Sequence, residues 1–159
     1  MKRDLIQNTK EVIEFLKREN QTITFAESCT GGRVASAFTA ISGASSVFCG
    51  SVVSYSNEIK SKWLGVKEDT LINYGAVSKE CVSEMLDGAL KMAEANYAIA
   101  ISGIAGPTGG SIQKPVGTVY IGIKTPTKKI VEKYLFKGDR ESVQTQATFT
   151  AIEFLKKNI

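Results

Sequence analysis

The stretch at residues 24–32, TFAESCTGG, constrains the fold of this 159-residue chain more than any other. It begins as a β-rich run and ends in a small, polar turn whose two glycines precede a helix-forming segment. A strand that leads through such a turn into a helix is typical of α/β proteins, in which a nucleophile or an anion site lies at the carboxyl end of the strand. We therefore predict an α/β domain with a site at Ser28.

Apolar periodicity and turn residues predict the other elements. Helices are predicted over about residues 3–19, 31–41, 58–64, 69–74 and 78–96, with a last helix capped by Asp139. Strands are predicted over about residues 22–26, 47–55, 97–104, 117–125 and 130–136. The last two strands are joined by a turn that is too short for a parallel crossover. The pattern predicts one domain over residues 1–159, a three-layer α/β/α sandwich with a mixed, mostly parallel sheet of about five strands.

The composition excludes several classes of protein. Hydrophobic residues make up 43% of the chain and charged residues 23%, as in ordinary globular proteins. No apolar run approaches the roughly 18 residues that a membrane span needs, and the Glu- and Lys-rich start is unlike a signal peptide. The lysines behind the net charge of +4 are scattered, which fits a small anionic substrate and gives little basis for nucleic-acid binding.

Cysteine and histidine usage narrows the chemistry. The three cysteines, Cys29, Cys49 and Cys81, are widely spaced and form no C-x-x-C pair, so we expect a reducing cytoplasm. The chain has no histidine, so a transition-metal site is not expected and the commonest general base is missing. If Ser28 or Cys29 does chemistry, its proton must go to a carboxylate, a tyrosinate or a neutral lysine.

Tyr55 and Lys60 flank the turn after the second predicted strand. Because the carboxyl ends of parallel strands meet at one edge of a sheet, both side chains are within reach of Ser28. Lys60 lies in the first turn of a predicted helix, where the helix dipole and partial burial lower the pKa of an amine, and a Ser–Lys pair replaces histidine. The alternative is that Lys60 is a solvated surface lysine.

The turn after Ser28 has a functional and a structural interpretation. Backbone N–H groups around Thr30, Gly31 and Gly32 are predicted to point at a ligand and to hold an oxyanion or a phosphate. Cys29 is a rival nucleophile, because a helix N-terminus lowers a thiol pKa, but we rank it below Ser28. Structurally, Ser28 or Thr30 caps the helix and the glycines allow close packing.

Three further groups belong to the candidate site. Glu27 orients Lys60, binds substrate or hydrogen-bonds nearby backbone. The loop at residues 103–111 lacks the endings of phosphate-binding kinase and dinucleotide loops, so it is either a phosphate or ribose cradle or a structural turn set. Arg140 is a phosphate partner or an exposed arginine at a helix start. The candidate contacts in the loop are Ala105, Gly106, Gly109 and Gly110.

Several ordered motifs resemble the CinA C-terminal domain family, the nicotinamide mononucleotide deamidases, over nearly the whole chain. They are AESCTGG at 26–32, VSYSNEIK at 53–60, GAVS at 75–78, SGIAGPTGG at 102–110, KPVGTV at 114–119 and GDR at 138–140. Many members of the family carry an additional N-terminal domain, so the chain resembles its stand-alone form.

The resemblance implies a hydrolase that converts nicotinamide mononucleotide and water to nicotinate mononucleotide and ammonia, without a metal or other cofactor. Ser28 matches the family's nucleophile, Lys60 its base and Tyr55 an assisting group, and the glycine-rich loop and Arg140 fall at the nucleotide site. The resemblance also implies a homo-oligomer, a dimer or larger. Two alternatives stay open: a regulatory module that binds nucleotides without hydrolysis, and an accessory protein associated with competence or DNA damage.

Overall fold

A computed structural model describes all 159 residues. The chain forms six α-helices and five strands, with a short 3-10 turn at Ala44–Ser46. In chain order the elements are α1 (Lys2–Arg18), β1 (Ile23–Glu27), α2 (Arg33–Thr39), β2 (Phe48–Val53), α3 (Asn57–Leu64), α4 (Glu68–Tyr74), α5 (Lys79–Ala93), β3 (Tyr97–Gly103), β4 (Thr118–Lys124), β5 (Lys129–Leu135) and α6 (Arg140–Lys156). None of the helices combines the length and the apolar run that crossing a bilayer demands.

The five strands form one mixed sheet in the order β2-β1-β3-β4-β5. β1 pairs in parallel with β2 and β3, whereas β4 is antiparallel to both of its neighbours. Four strands therefore run in one direction, and the predicted mixed α/β fold is confirmed. Glu27, the last residue of β1, lies in register with Val53 of β2 and Ile101 of β3. The carboxyl ends of the three parallel strands thus meet at one edge of the sheet.

The two faces of the sheet carry side chains of different size. Alternate residues of a strand point to opposite faces. On the face covered by α1, α2 and α6, β1 and β3 present large residues: Ile23, Phe25, Ile99 and Ile101. On the face covered by α5, with α3 and α4 outside it, they present small ones: Ala26, Ala98 and Ala100. The small residues let α5 lie close to the sheet.

Local caps set the start of the helices that carry candidate site residues. Ser56 Oγ accepts from Ile59 N–H at 3.1 Å at the start of α3, and Asp139 Oδ1 accepts from Ser142 N–H at 2.8 Å at the start of α6, as the sequence predicts. α2 starts at Arg33 rather than at the predicted residue 31, because Gly31 and Gly32 adopt positive φ angles of 58° and 101°. Those angles belong to a turn and not to a helix.

Candidate active site

The carboxyl ends of the three parallel strands enclose a pocket of about 170 Å³. Each strand supplies part of its wall, since Ser28 follows β1, Tyr55 follows β2 and Ala105 follows β3. Helices supply the rest, with Lys60 from α3 and Arg140 from the first turn of α6. The remaining wall residues are Cys29, Asn57, Ala76, Val77, Ser102 and Gly103.

Lys60 and Ser28, the predicted base and nucleophile, are in direct contact. Lys60 Nζ lies 3.0 Å from Ser28 Oγ and donates to the main-chain oxygens of Ser54 at 2.9 Å and Tyr55 at 3.0 Å. Carbonyl oxygens only accept hydrogen bonds, whereas a hydroxyl both donates and accepts. A neutral amine has two N–H groups and one lone pair, so the carbonyls hold both N–H groups and the lone pair faces Ser28 Oγ. The neutral form of Lys60 therefore presents a base to the serine.

The surroundings of Lys60 disfavour its charged form. The residue is only 2% exposed, and none of the ion pairs in the structure includes its amine. Burial lowers the pKa of Lys60 below the usual lysine value. Cys29 and Cys81 oppose that shift only as thiolates, and burial raises the pKa of Cys29 to about 12 and that of Cys81 to about 11. Both thiols are therefore neutral near pH 7, and Lys60 is not a solvated surface lysine.

Cys29 lies beside Ser28 but lacks the environment that activates a thiol nucleophile. We expected a helix N-terminus to lower its pKa, and that expectation is wrong because burial raises the pKa to about 12. The first N–H groups of α2 do not stabilise a thiolate at Cys29, because they donate to the Glu27 carboxylate instead. Ser28, in contact with Lys60, is the better placed nucleophile.

Glu27 holds the start of α2. Its Oε1 accepts from Thr30 Oγ1 at 2.7 Å and from the N–H groups of Gly32 at 3.2 Å and Val34 at 3.0 Å. Its Oε2 accepts from Ala35 N–H at 3.0 Å. The carboxylate thus satisfies the N–H groups that a helix start leaves without partners. Glu27 is fully buried and absent from the pocket wall, so of its predicted roles only hydrogen bonding to nearby backbone is confirmed.

The N–H groups of the two turn glycines already have partners. Gly31 N–H donates to Ser28 O at 3.0 Å, and Gly32 N–H donates to Glu27 Oε1. The prediction that these two groups point at a ligand is therefore wrong. Their role is to close the turn that follows Ser28.

Other N–H groups around the pocket have no partner. Those of Cys29 and Thr30 donate to nothing in the protein, although both residues are buried. The same holds for Ala105 and Gly106 in the loop after β3. More than nine in ten buried backbone N–H groups in proteins are hydrogen-bonded. Two of the four, those of Cys29 and Ala105, belong to residues that line the pocket, and they indicate a place for a ligand oxygen.

Arg140 bridges the mouth of the pocket. Its Nη1 donates to Gly106 O at 2.7 Å and its Nη2 donates to Tyr55 Oη at 2.9 Å. Both partners are uncharged, so no carboxylate neutralises the guanidinium. The Tyr55 hydroxyl contacts Arg140, while the main-chain oxygen of Tyr55 accepts from Lys60. Tyr55 thus connects the arginine to the lysine.

The far part of the glycine-rich loop stays outside the pocket. Gly109 and Gly110 are exposed and do not line the wall, unlike Ala105. A Cβ on Gly110 would lie 2.7 Å from Val116 N, so the packing of the loop itself requires glycine there. For this part of the loop the structural interpretation fits the geometry.

Some site residues carry no signal in a single sequence. Nothing in the composition marks Ser54 as the residue whose carbonyl holds Lys60, or Val77 as part of the wall. Gln144 of α6 carries no such signal either: its side chain donates to Cys29 O, although the two residues lie 115 positions apart in the sequence. The chain provides no group of three or more cysteine, aspartate or glutamate residues that could hold a metal ion.

The sequence matches known proteins over most of its length. A family model described as the CinA C-terminal domain matches residues 6–159. The nicotinamide-nucleotide amidohydrolase PncC of Escherichia coli K12 is 49% identical over 153 residues, which cover 96% of this chain and 93% of that protein. A CinA-like protein of Thermotoga neapolitana is 50% identical over 148 residues, and these cover 93% of this chain but only 36% of that protein. The chain thus spans about a third of the length of that relative.

Solved structures share the fold over nearly the whole chain. A competence-damaged protein (CinA) superfamily protein from Escherichia coli superposes with a TM-score of 0.96 at 32% identity, covering 100% of this chain and 93% of that one. The competence damage-inducible protein A of Klebsiella pneumoniae gives a TM-score of 0.93 at 37% identity, covering 96% of this chain and 95% of that one. Since the family model, the sequence relatives and the fold agree, the chain belongs to the CinA C-terminal domain family.

Proposed function

We propose that this protein hydrolyses the carboxamide of nicotinamide mononucleotide, giving nicotinate mononucleotide and ammonia, through a Ser28–Lys60 pair. The observation that supports it most is the 3.0 Å contact between Lys60 Nζ and Ser28 Oγ in a pocket where no carboxylate pairs with the amine. The name of the Escherichia coli relative, a nicotinamide-nucleotide amidohydrolase, supports the substrate.

In the first step neutral Lys60 takes the proton of Ser28 Oγ while the oxygen attacks the carboxamide carbon. The carbonyls of Ser54 and Tyr55 hold the two amine N–H groups, so the lone pair stays directed at the serine. Free backbone N–H groups receive the negative charge that develops on the carboxamide oxygen. One such donor contributes about 3 kcal/mol to lowering the barrier.

In the second step protonated Lys60 delivers its proton to the carboxamide nitrogen, the C–N bond breaks and ammonia leaves. Ser28 then carries the nicotinoyl group as an ester. Water attacks this ester with neutral Lys60 again as the base, the bond to Ser28 Oγ breaks and the serine regains its proton. One water is consumed, and the carboxylic acid and ammonia that form become a carboxylate and an ammonium ion near pH 7.

The size and charge of the pocket fit the reacting end of this substrate. A volume of about 170 Å³ is below the roughly 300 Å³ at which sites for larger ligands begin, so the pyridine ring enters and the ribose phosphate stays at the mouth. Arg140 lies there with an unneutralised charge and a fork that matches phosphate. The positive ring of the substrate also disfavours a charged Lys60, so binding promotes the neutral base.

Ammonia release from nicotinamide mononucleotide tests the proposal. We expect release by the wild type in the presence of a chelator, and loss of turnover by about 10⁶-fold in Ser28→Ala, as for removal of a nucleophile in other serine hydrolases. Ser36→Ala, on the exposed side of α2, is the matched control and should keep wild-type turnover.

Two results would contradict the proposal. Wild-type-like release by Ser28→Ala excludes the serine as nucleophile. A folded wild type that shows a mononucleotide-dependent thermal shift but releases no ammonia is a binding module instead.

The proposal also includes a cytoplasmic location and assembly as a homo-oligomer. The three cysteines are all unpaired, as expected in a reducing compartment. Light scattering on the purified protein measures the assembly state.

A further inference from the structure

Two consecutive peptide groups after Ser28 are each held by their carbonyl oxygen, leaving their N–H groups free. The Ser28 carbonyl accepts from Gly31 N–H at 3.0 Å, and the Cys29 carbonyl accepts from Gln144 Nε2 at 2.9 Å. Both peptide bonds are trans, since the only cis bond in the chain precedes Pro107. In a trans peptide the N–H points away from the carbonyl. The bonds to the carbonyls therefore fix the directions of the Cys29 and Thr30 N–H groups.

Gln144 is an unusual partner for a turn carbonyl. It lies on α6, one helical turn beyond Arg140, and it is only 8% exposed. Burying a long polar side chain costs free energy unless its hydrogen bonds are made. The bond of Gln144 to the Cys29 carbonyl joins α6 to the residue that follows the proposed nucleophile. Glu27 also holds this turn, through Thr30 Oγ1 and the N–H groups at the start of α2.

We infer that Gln144 is a positioning residue: by holding the carbonyl of the Cys29–Thr30 peptide it fixes, together with the Gly31 bond to the Ser28 carbonyl, a turn in which the N–H groups of Cys29 and Thr30 receive the oxyanion of the amide-hydrolysis transition state. This inference rests on the proposed amidase function and goes beyond it, because it selects the oxyanion donors and names a side chain that holds one of their two peptides. Gln144 does not touch the substrate. It acts through the main chain next to Ser28.

Gln144→Leu removes the donor and keeps most of the side-chain volume. The Cys29–Thr30 peptide then loses the hydrogen bond that holds its carbonyl, so the transition state loses stabilisation that the ground state never had. We expect kcat to fall by about 10- to 100-fold, less than the 10²- to 10³-fold cost of deleting a donor outright, with KM changed by less than about threefold.

Gln146→Leu is the matched control. Gln146 is also on α6 and also donates to carbonyls, those of Lys137 at 2.7 Å and Ser142 at 3.0 Å, but neither carbonyl belongs to the site. The Gln146→Leu variant also loses side-chain hydrogen bonds to carbonyls, and it should keep the wild-type kcat. Inhibition by 3-pyridylboronic acid, whose serine adduct is tetrahedral and anionic, should weaken in Gln144→Leu by the factor lost in kcat and stay unchanged in Gln146→Leu.

Gln144→Glu gives a readout that a structural role would not move. A protonated glutamic acid donates to the Cys29 carbonyl, whereas the carboxylate repels it. The ratio of variant to wild-type kcat should therefore rise as pH falls, and the ratio for Gln144→Leu should stay flat. The charged groups that act on Cys29 are Lys60 of α3, Arg140 of α6 and Glu27 of β1, and they are present in all of these proteins.

The outcomes separate the inference from the proposed function. If the folded wild type releases no ammonia, both the proposed function and the role of Gln144 are excluded. An active wild type with unchanged kcat in Gln144→Leu, or with the whole loss in KM, overturns the role of Gln144 alone. If Gln144→Leu does not fold, the kcat ratio of Gln144→Glu decides, and a flat ratio overturns the inference.

Discussion

Glu27 and Lys60 are both buried ionisable side chains at the same edge of the sheet, but their surroundings use them differently. Glu27 accepts hydrogen bonds from Thr30 and from three N–H groups at the start of α2. Lys60 meets two carbonyls and the hydroxyl of Ser28. Every partner of the carboxylate belongs to the scaffold, whereas one partner of the amine is the hydroxyl that we propose as nucleophile, and it lines the pocket.

The two side chains differ in whether neighbouring groups stabilise their charge. The N–H groups around Glu27 stabilise its charge, so the carboxylate stabilises the fold in return. The amine of Lys60 has no carboxylate partner, so its burial favours the neutral form. A buried charge that the scaffold satisfies points to a structural role, and one that it leaves uncompensated points to chemistry. Substitutions at the two positions should therefore separate activity from stability.

Lys60→Met should show the largest effect, and on activity alone. It removes the base, so turnover of nicotinamide mononucleotide should fall by about 10⁴-fold or more. It also removes a buried amine without a counter-ion, at the cost of two carbonyls left without a donor, so the free energy of unfolding should stay within about 1 kcal/mol of wild type or rise. Ammonia release and urea denaturation measure the two quantities. Retention of a tenth of the turnover would rule out Lys60 as the base.

Glu27→Gln should act mainly on stability rather than on activity, with a loss of about 3 kcal/mol in the free energy of unfolding. The amide removes the charge that α2 attracts and sets an NH₂ group against N–H donors, and charge-assisted hydrogen bonds contribute about 1.5–3 kcal/mol each. Urea denaturation gives the change, with the slope of the transition checked for two-state unfolding.

Glu141→Gln is the control for the second prediction. Glu141 also lies in the first turn of a helix, α6, but it is exposed and no hydrogen bond of its side chain is seen. Its loss should cost about 0.5 kcal/mol through the helix dipole alone. Equal losses at Glu27 and Glu141 would show that the buried bonds of Glu27 add nothing.

The dependence on pH should separate Lys60 from ordinary lysines. Its folded pKa is lowered, so turnover should rise with pH along a limb that ends below the unperturbed value of about 10.4. Between the folded and unfolded pKa values the unfolded chain binds more protons, so the stability cost of Lys60 is full below the folded pKa and declines as pH rises through this window.

Comparison with Lys60→Met isolates that cost. Cys29 and Cys81, whose folded pKa values are raised to about 12 and about 11, change stability in the opposite direction at alkaline pH, but they do so in both proteins. The free energy of unfolding of the wild type should therefore rise relative to that of Lys60→Met from pH 7 towards pH 10. A constant difference would mean that Lys60 has an ordinary pKa in the folded protein.

The sequence could predict what depends on local chemistry. Apolar periodicity and the cap residues Ser56 and Asp139 mark helices that are present, and the three parallel strand ends follow from strand order. The absence of histidine reduces the choice of base to a few side chains, of which Lys60 is one. These inferences need only neighbours in the chain or the general rule that parallel strands end at one edge.

The functions of Glu27 and Gln144 could not be predicted in this way. Whether Glu27 faces a ligand or the start of α2 depends on the path of the turn, which the positive φ angles of Gly31 and Gly32 set. The bond of Gln144 to Cys29 depends on how α6 packs over the sheet. The sequence allows both a partly buried Lys60 with a lowered pKa and a solvated surface lysine, and only the packing, which leaves Lys60 2% exposed, decides between them.

Ser54→Ala should show the smallest effect. Ser54 is fully buried and its Oγ has no hydrogen-bond partner, while its main-chain groups hold Glu27 O at 2.8 Å and Lys60 Nζ at 2.9 Å. Alanine keeps both main-chain bonds and removes an unsatisfied hydroxyl. We expect the free energy of unfolding to stay the same or rise by up to about 1 kcal/mol, with turnover within about twofold of wild type.

Ser78→Ala is the contrasting control, measured in the same denaturation series. Ser78 Oγ is also buried but accepts from Cys81 N–H at 3.1 Å and donates to Gly75 O at 2.8 Å, so its loss should cost about 1 kcal/mol. If Ser54→Ala instead lost as much stability as Ser78→Ala, the Ser54 hydroxyl would have a partner in solution. If Ser54→Ala lost turnover but kept its stability, the Ser54 hydroxyl would contact Lys60. The lone pair of the amine would then be shared between two hydroxyls rather than reserved for Ser28.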